Sequence, residues 1–469
     1  MRPAEIPQWL ELPTEPLRVT YSRLVSGLND RQDPVTWRTM SIDMRAIGGS
    51  KDPERQPATL DFKDAEKLVQ ELTRGTYLES ITPEIMYSLG YGKPSERQQS
   101  LDTLIVSARH RPEWLTWALA DRLHKDGQNI AVINPVGHYL DQEPRILGPR
   151  EFFRDIDTAV FLTSTQYIHG GSVSVLVETL GLLRNQEFSK NIKNVEVIIP
   201  MMAGIRGHKE GQAHEIGYEV LQAGTIPKRL SLIAKDIQED LGEFAPKITF
   251  RTVDIHNLEM PKDAFLEKGY ELDSIDPMRN FAYAVKREIE EQSLHGIPLR
   301  LVAVDKGAVE RTQNLAAELL LMGANGYSHI DIVEIKKVRT SAGIVDSAHI
   351  DRVVRMSFKN GTINKQSIDI NDILNTESFI RVTSDDMLDS GRSAKKDDEL
   401  LDSVMPNAVF KISVATHPVV SEGLRSALDN TGSHVIILGN TLSNQELYND
   451  SRVRIVNVAP SIADALRSN

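Results

Sequence analysis

Short β-branched apolar runs recur along most of this chain, and their alternation with helix-forming stretches constrains the fold more than any other feature. From about Leu104 they read TLIVSA, NIAVINP, TAVFLTST, VEVIIP, ITFRTVDIH, LRLVAVD, HIDIVEIK, FIRVTSDD, AVFKISVATH, HVIILGN and VRIVNVAP. Between them lie stretches of helical period such as REFFRDIDT, SVLVETLGLLRNQEF and VERTQNLAAELLLMG. Apolar runs of about four to six residues, spaced by helical segments, indicate strand–helix–strand units and a largely parallel sheet buried on both faces. Eleven such strands exceed what one open sheet usually carries. The expectation is therefore an α/β chain of two doubly wound domains with parallel sheets. Their expected boundaries are 101–258 and 259–469, with the segment FLEKGYELDSIDPMRNFAYAVKREIEEQSLHGIP carrying the chain across.

Residues 1–100 have a different texture. They hold three prolines in the first 13 positions, a polar GGSKDPERQP stretch at 48–57, and one expected helix over 62–75. They contain no repeat and no chemical motif, and are read as an amino-terminal extension.

Composition removes whole classes of function. Of 469 residues, 54 are Lys or Arg and 66 are Asp or Glu, a net charge of −12. An acidic chain is a poor default partner for nucleic acid or an anionic membrane. There is no cysteine, which excludes disulfides, zinc ribbons, iron–sulfur ligation and a thiol nucleophile. The amino terminus has no basic stretch followed by an apolar core, and no window of about 18 apolar residues occurs. The expected location is cytoplasmic. GxxxxGK[ST], HExxH, GxSxG and GxGxxG are all missing, and GYGKPS at 90–95 is only a look-alike of the first.

In open α/β sheets ligands sit beyond the carboxyl ends of strands, so the residues after each strand are examined first. The strongest cluster is VTSDDMLDSGRSAKK, 382–396. An apolar strand runs into Asp385 and Asp386, then Asp389, then Ser390, Gly391, Arg392 and Ser393 at an expected helix start. Backbone N–H groups at such a turn bind phosphate, and serine hydroxyls add donors. Carboxylates beside a phosphate cradle suit ribose hydroxyls or magnesium, so the pattern suggests a phosphorylated sugar. The competing reading is a solvated acidic loop capping a helix. Likewise Asp305 alone reads as a helix cap, a lone His256 as a structural histidine, and KKVR as a basic edge strand.

The 382–396 segment resembles the ribose-5-phosphate loop of the phosphoribosyltransferase fold. The wider chain resembles the ribose-phosphate diphosphokinase family, the phosphoribosyl pyrophosphate (PRPP) synthetases. VAVDKGAVERTQNLAAEL (302–319), ISVATHPVVSEG (412–423), RIVNVAPSIADALR (454–467) and GHYLDQEPRI (137–146) resemble other segments of that family in the same order. Together they cover roughly 104–469. The resemblance implies two phosphoribosyltransferase-like domains, with ATP on the first and ribose 5-phosphate on the second.

Position by position, it implies that His256 and Asp305 are linked to Mg²⁺, with His256 also able to contact ATP. It implies that Lys337 and Arg339 in EIKKVRTSAG (334–343) form the Lys-x-Arg pair of a flexible catalytic loop. Two cations two residues apart on an extended segment project to one side and would clamp a diphosphoryl group in transit. Arg206 in PMMAGIRGHKEG (200–211) falls on the ATP segment, with His208 and Lys209 beside it. Tyr139 would stack on adenine, with Asp141 and Glu143 contacting its edge or the ribose. In the family that loop reaches a neighbouring subunit, which implies a homo-oligomer, a dimer or a hexamer built of dimers.

Two departures stand out. Gly207 and His208 occupy positions where the family has Gln and Asp, and Arg392 stands where it has a small residue. The implied reaction is transfer of the β,γ-diphosphate of Mg-ATP to the C1 hydroxyl of ribose 5-phosphate, giving PRPP and AMP for nucleotide biosynthesis. Three alternatives remain open: the same transfer to a larger acceptor such as ADP-ribose, a non-catalytic regulatory subunit, and a phosphoribosyltransferase that consumes PRPP.

Overall fold

The computed structural model describes residues 41–43, 101–107, 114–128, 130–133, 136–138, 144–146, 156–163, 173–190, 192–202, 213–214, 217–218, 225–255, 258–323, 326, 328–339, 345–374, 378–442 and 450–467. The helix expected over 62–75 lies outside them, as do Tyr139, Asp141, Glu143, Arg206, Gly207, His208, Lys209 and His256.

All eleven expected runs are strands, and they divide between two sheets. The first sheet contains β1 (Ser41–Asp43), β2 (Leu101–Ser107), β3 (Ile130–Ile133), β4 (Ile156–Leu162), β5 (Ile192–Ile199), β6 (Lys247–Val253) and β7 (Leu272–Ile275). Its order is β1-β3-β2-β4-β5-β6-β7. Every pair is parallel except β1 against β3. The stretch REFFRDIDT is not helical at its carboxyl end: Ile156–Thr158 open β4, because the apolar run that follows draws them into register with β2.

The second sheet contains β8 (Leu299–Ala303), β9 (His329–Arg339), β10 (Val345–Lys359), β11 (Thr362–Ile368), β12 (Phe379–Leu388), β13 (Ala408–Pro418), β14 (Val435–Gly439) and β15 (Val453–Val456). Its order is β11-β10-β9-β8-β12-β13-β14-β15. Strands β9, β10 and β11 form an antiparallel meander and the rest pair in parallel. Because β7 adds to the first sheet beside β6, the chain changes sheets after Ile275 rather than at the expected 258/259 boundary.

Amphipathic helices cover these sheets: α1 (Trp114–Lys125), α2 (Thr225–Leu241), α3 (Met278–Glu291), α4 (Val309–Leu321), α5 (Arg392–Val404), α6 (Leu424–Asp429) and α7 (Ala459–Arg467). One apolar cluster joins the two halves. It includes Ile105, Val160, Ile198 and Val253 of the first sheet, Leu119 of α1, Phe281 and Val285 of α3, Leu315 and Leu319 of α4, Leu301, Val382 and Val414 of the second sheet, and Ile462 of α7. Arg467 at the end of α7 also meets Asp126 just beyond α1 at 3.0 Å. Each half therefore buries surface of the other, and both sheets are held by a shared helical layer. Among the described residues no helix is long and apolar enough to cross a membrane.

Candidate functional site

In the second sheet, β9 follows β8 on one side, while β12 to β15 continue on the other. The gap between the ends of β8 and β12 is thus a topological switch point, where doubly wound sheets open a crevice for ligands. Asp305 stands just past β8, and Asp385 and Asp386 lie near the end of β12. The Asp305 side chain accepts from the Ala308 amide at 3.0 Å and so caps the turn leading into α4.

The Asp386 amide donates to Asp385 Oδ1 at 2.9 Å. Burial, then the charge of Asp386, then that of Asp305 hold the Asp385 carboxyl well above the usual carboxylate range. Three acids crowd this crevice, and a cation entering it would relieve their repulsion. Arg311 from α4 faces the same acids. Burial works against its charge, but Asp254 outweighs it, with further support from Asp386 and Asp385.

The turn after β12 is tightly constrained. Gly391 has φ +73° and leads directly into α5. A Cβ there would stand 2.5 Å from the Ala427 carbonyl oxygen and 2.9 Å from Asn430 Cβ, so only glycine fits. Asn430 holds the turn by donating to the Ser390 carbonyl at 2.8 Å. Asp389 accepts from the Ser421 amide at 3.1 Å and from the Ser421 hydroxyl. The segment that supplies Ser421 carries strain: Val420 has φ +38°, a conformation β-branched residues rarely adopt outside constrained sites. Its amide donates to the Leu388 carbonyl at 3.0 Å, which ties the end of β13 to the end of β12. The Arg392 side chain is 70% exposed and bonds to Glu422.

Lys337 and Arg339 lie on β9, which runs between β8 and β10 and is no edge strand. Pairing with β8 ends at Glu334, so 335–339 continue past it as a hairpin with β10. A register shift falls where Val338 pairs with Ser347 and Arg339 with Val345, so the extra residue, Asp346, lies on β10. The Lys337 ammonium is not free: it donates to Asp397 Oδ2 at 2.8 Å and to Ser393 Oγ at 3.0 Å. Arg339 ends the strand.

Several site residues had no role at the level of sequence. Asp254, just past β6, has φ +43°. Arg311 Nε reaches both its oxygens, at 2.8 and 2.7 Å, and the Thr416 hydroxyl donates to it. His417 Nε2 donates to the Asp254 carbonyl at 3.2 Å, and its Nδ1 lies 2.9 Å from Thr441 Oγ1. Burial lowers the His417 pKa, against the pull of Asp254 and Asp386. This network joins the end of β6 to α4 and to the ends of β13 and β14, so it fixes the first half against the crevice. One sequence signal was available. Arg311 sits on the buried stripe of α4 with Leu315 and Leu319, and a charge on an apolar stripe requires a buried partner.

Magnesium takes oxygen ligands, usually one or two carboxylates together with substrate phosphates and waters. Asp305, Asp385 and Asp386 have the donor chemistry for that mode. Among the described residues no three acidic or imidazole side chains form a ready-made metal cage.

No protein-family model matches the sequence, and a search of curated proteins likewise finds no match. Among solved structures the chain is similar to phosphoribosylpyrophosphate synthetase from Mycobacterium smegmatis, with TM-score 0.50 and 17% identity over 78% of this chain and 98% of that one. Smaller overlaps occur with L. donovani hypoxanthine-guanine phosphoribosyl transferase (TM-score 0.23, 17% identity, 38% of this chain and 86% of that one) and with Trypanosoma cruzi hypoxanthine phosphoribosyl transferase (0.23, 12%, 41% and 90%). The chain has an α/β fold with two largely parallel sheets. At the level of fold, its two-part arrangement is that of PRPP synthetase.

Proposed function

We propose that the protein is a diphosphotransferase that moves the β,γ-diphosphate of Mg-ATP onto the C1 hydroxyl of ribose 5-phosphate. The observation that carries this reading is the pairing, at one switch point, of crowded carboxylates with a turn that only glycine can make at the start of a helix. Ser390, Gly391, Arg392 and Ser393 would hold the 5-phosphate through amides and hydroxyls at the start of α5. Asp385, Asp386 and Asp389 would orient the ribose hydroxyls. Asp305, with His256, would hold a magnesium ion, which supplies neutralisation of diphosphate charge when bound.

The C1 hydroxyl oxygen forms a bond to the β-phosphorus as that phosphorus loses the oxygen it shares with the α-phosphate, and AMP leaves. Such a transfer depends on alignment and charge stabilisation more than on a strong base. Arg206 and Arg339 would stabilise the diphosphate in transit. On the ATP side, Tyr139, Asp141, Glu143, His208 and Lys209 are proposed contacts by the resemblance alone. If the Tyr139 loop acts on a neighbouring subunit, the active form is a homo-oligomer, and size measurements on Tyr139→Ala and Glu143→Ala separate lost assembly from lost nucleotide contact.

One observation favours a second reading. Arg392 stands exposed at the start of α5, where it bonds to Glu422, and would meet a second phosphate on a larger acceptor such as ADP-ribose. A mass-resolved assay with Mg-ATP and either acceptor decides among the readings. AMP forming with ribose 5-phosphate supports the first, AMP forming only with the larger acceptor supports the second, and AMP with neither indicates a regulatory subunit.

A further inference from the structure

The pair formed by Lys337 and Asp397 is buried more deeply than a surface catalytic loop requires. Their side chains are 4% and 2% exposed. Asp397 Oδ2 takes the ammonium at 2.8 Å, whereas Oδ1 is buried with no hydrogen-bond partner among the described residues. A buried ion pair gives little net stability over an apolar pair of similar volume, and an unsatisfied carboxylate oxygen adds a cost.

Nor is the pair needed to anchor α5. Arg381, itself 1% exposed on β12, already bonds to Asp398 and, at 2.8 Å, to Asp402 one turn further along that helix. Asp398 also accepts from the Gly432 amide at 2.7 Å. Holding the helix on the sheet therefore does not account for Asp397.

What Asp397 does fix is the direction of the ammonium. Lys337 Nζ donates to Ser393 Oγ at 3.0 Å. A serine hydroxyl that accepts a hydrogen bond keeps its own proton for donation, and a charged donor behind it polarises that proton outward. Ser393 is exposed in the first turn of α5, where the free amides of a helix start also point.

We infer that Asp397 is a positioning residue: it pins Lys337 beneath Ser393, so that the buried cation serves the acceptor's phosphate through the serine hydroxyl and not the diphosphate in transit. This rests on the reading of 389–393 as a phosphate cradle. It assigns Lys337 a different task from the one its Lys-x-Arg resemblance implies and leaves the travelling charge to Arg339 and Arg206. The ligand class is a phosphate monoester dianion.

The test compares the parent chain with Asp397→Asn and with the apolar pair Lys337→Leu/Asp397→Leu. Inorganic phosphate binding is measured by calorimetry, apart from turnover, and KM and kcat are measured with ribose 5-phosphate. The expected result is about tenfold or more weaker phosphate binding in both variants, the loss of one charge-assisted hydrogen bond. KM rises in parallel, kcat stays within about threefold, and Asp397→Glu restores part of the affinity. The apolar pair should fold about as stably as the parent, which separates anchoring from ligand binding. A fall in kcat with phosphate affinity unchanged overturns the inference, because Lys337 then acts on transfer. Unchanged phosphate affinity and unchanged kinetics overturn it too, leaving a structural salt bridge. If the parent itself binds no inorganic phosphate, the cradle reading fails and the inference falls with it.

Discussion

Arg311→Met removes the guanidinium that meets Asp254, and the consequences reach both halves of the molecule. The two side chains are 7% and 11% exposed, and Nε lies 2.7 and 2.8 Å from the two carboxylate oxygens. Breaking a buried pair from one side leaves an uncompensated charge and costs about 3–5 kcal/mol. The Thr416 hydroxyl still donates to Asp254, so the lower part of that range is expected. Adding Asp254→Asn removes the stranded charge, and the double variant should recover about 1–3 kcal/mol relative to the sum of the single losses. The assay is guanidinium unfolding followed by far-ultraviolet dichroism and by tryptophan fluorescence in a Trp9→Phe/Trp37→Phe background, where of the four tryptophans only Trp114 and Trp117 of α1 in the first half remain. In the parent the two probes should coincide. In Arg311→Met the tie between the end of β6 and α4 is gone, and the transitions should separate. A loss under about 1 kcal/mol, or a double variant that is simply additive, would refute the claim that this pair couples the halves.

Other outcomes follow from the same geometry. Gly391→Ala should cost about 2–5 kcal/mol and abolish phosphate binding, since it combines left-handed strain with a Cβ driven onto the Ala427 carbonyl; denaturant midpoints and calorimetry check both effects. Burial, then Asp398 and Asp305, push the Asp397 carboxyl up to about 6 against the pull of Lys337. A folded pKa raised above the ordinary value means that the protonated form favours folding: this contribution is present below about pH 4 and is lost as pH rises through about 6. The stability of the parent relative to Asp397→Asn should thus fall by on the order of 3 kcal/mol between pH 4 and 7, and urea titrations that give a flat or rising difference would contradict it. Arg339→Ala should lower kcat about a hundredfold or more while KM for ribose 5-phosphate changes less than about threefold, the reverse of the Asp397→Asn pattern.

Which elements were legible in the sequence follows from how each is buried. The eleven apolar runs stood out because strands of a parallel sheet are covered on both faces and carry few polar positions. Strand β11 (TINKQSI) is mostly exposed, so its composition resembles a loop. Strand β10 (VDSAHIDRVVRMSFK) pairs antiparallel on both sides and carries its charges on the strand itself. Strand β7 spans only four residues, LDSI, too few to show a period. The site divides in the same way. Asp385 to Ser393 are contiguous and follow an apolar strand, so the cradle was visible as a local pattern. Asp254 and Arg311 are 57 residues apart, and Lys337 and Asp397 are 60 apart. No local pattern links them: the first pair meets where the two halves pack together, and the second where α5 lies against β9 of the second sheet.

In the proposed transfer two phosphorus atoms move as one unit, so label carried from ATP reports on the reaction itself. The purified chain would be incubated with magnesium, ribose 5-phosphate and ATP labelled at the γ-phosphorus. The expected products are AMP and, in one-to-one yield with it, an acceptor that has gained two phosphates and carries the label. Formation of ADP with a singly phosphorylated acceptor, or label released only as free phosphate, would contradict it.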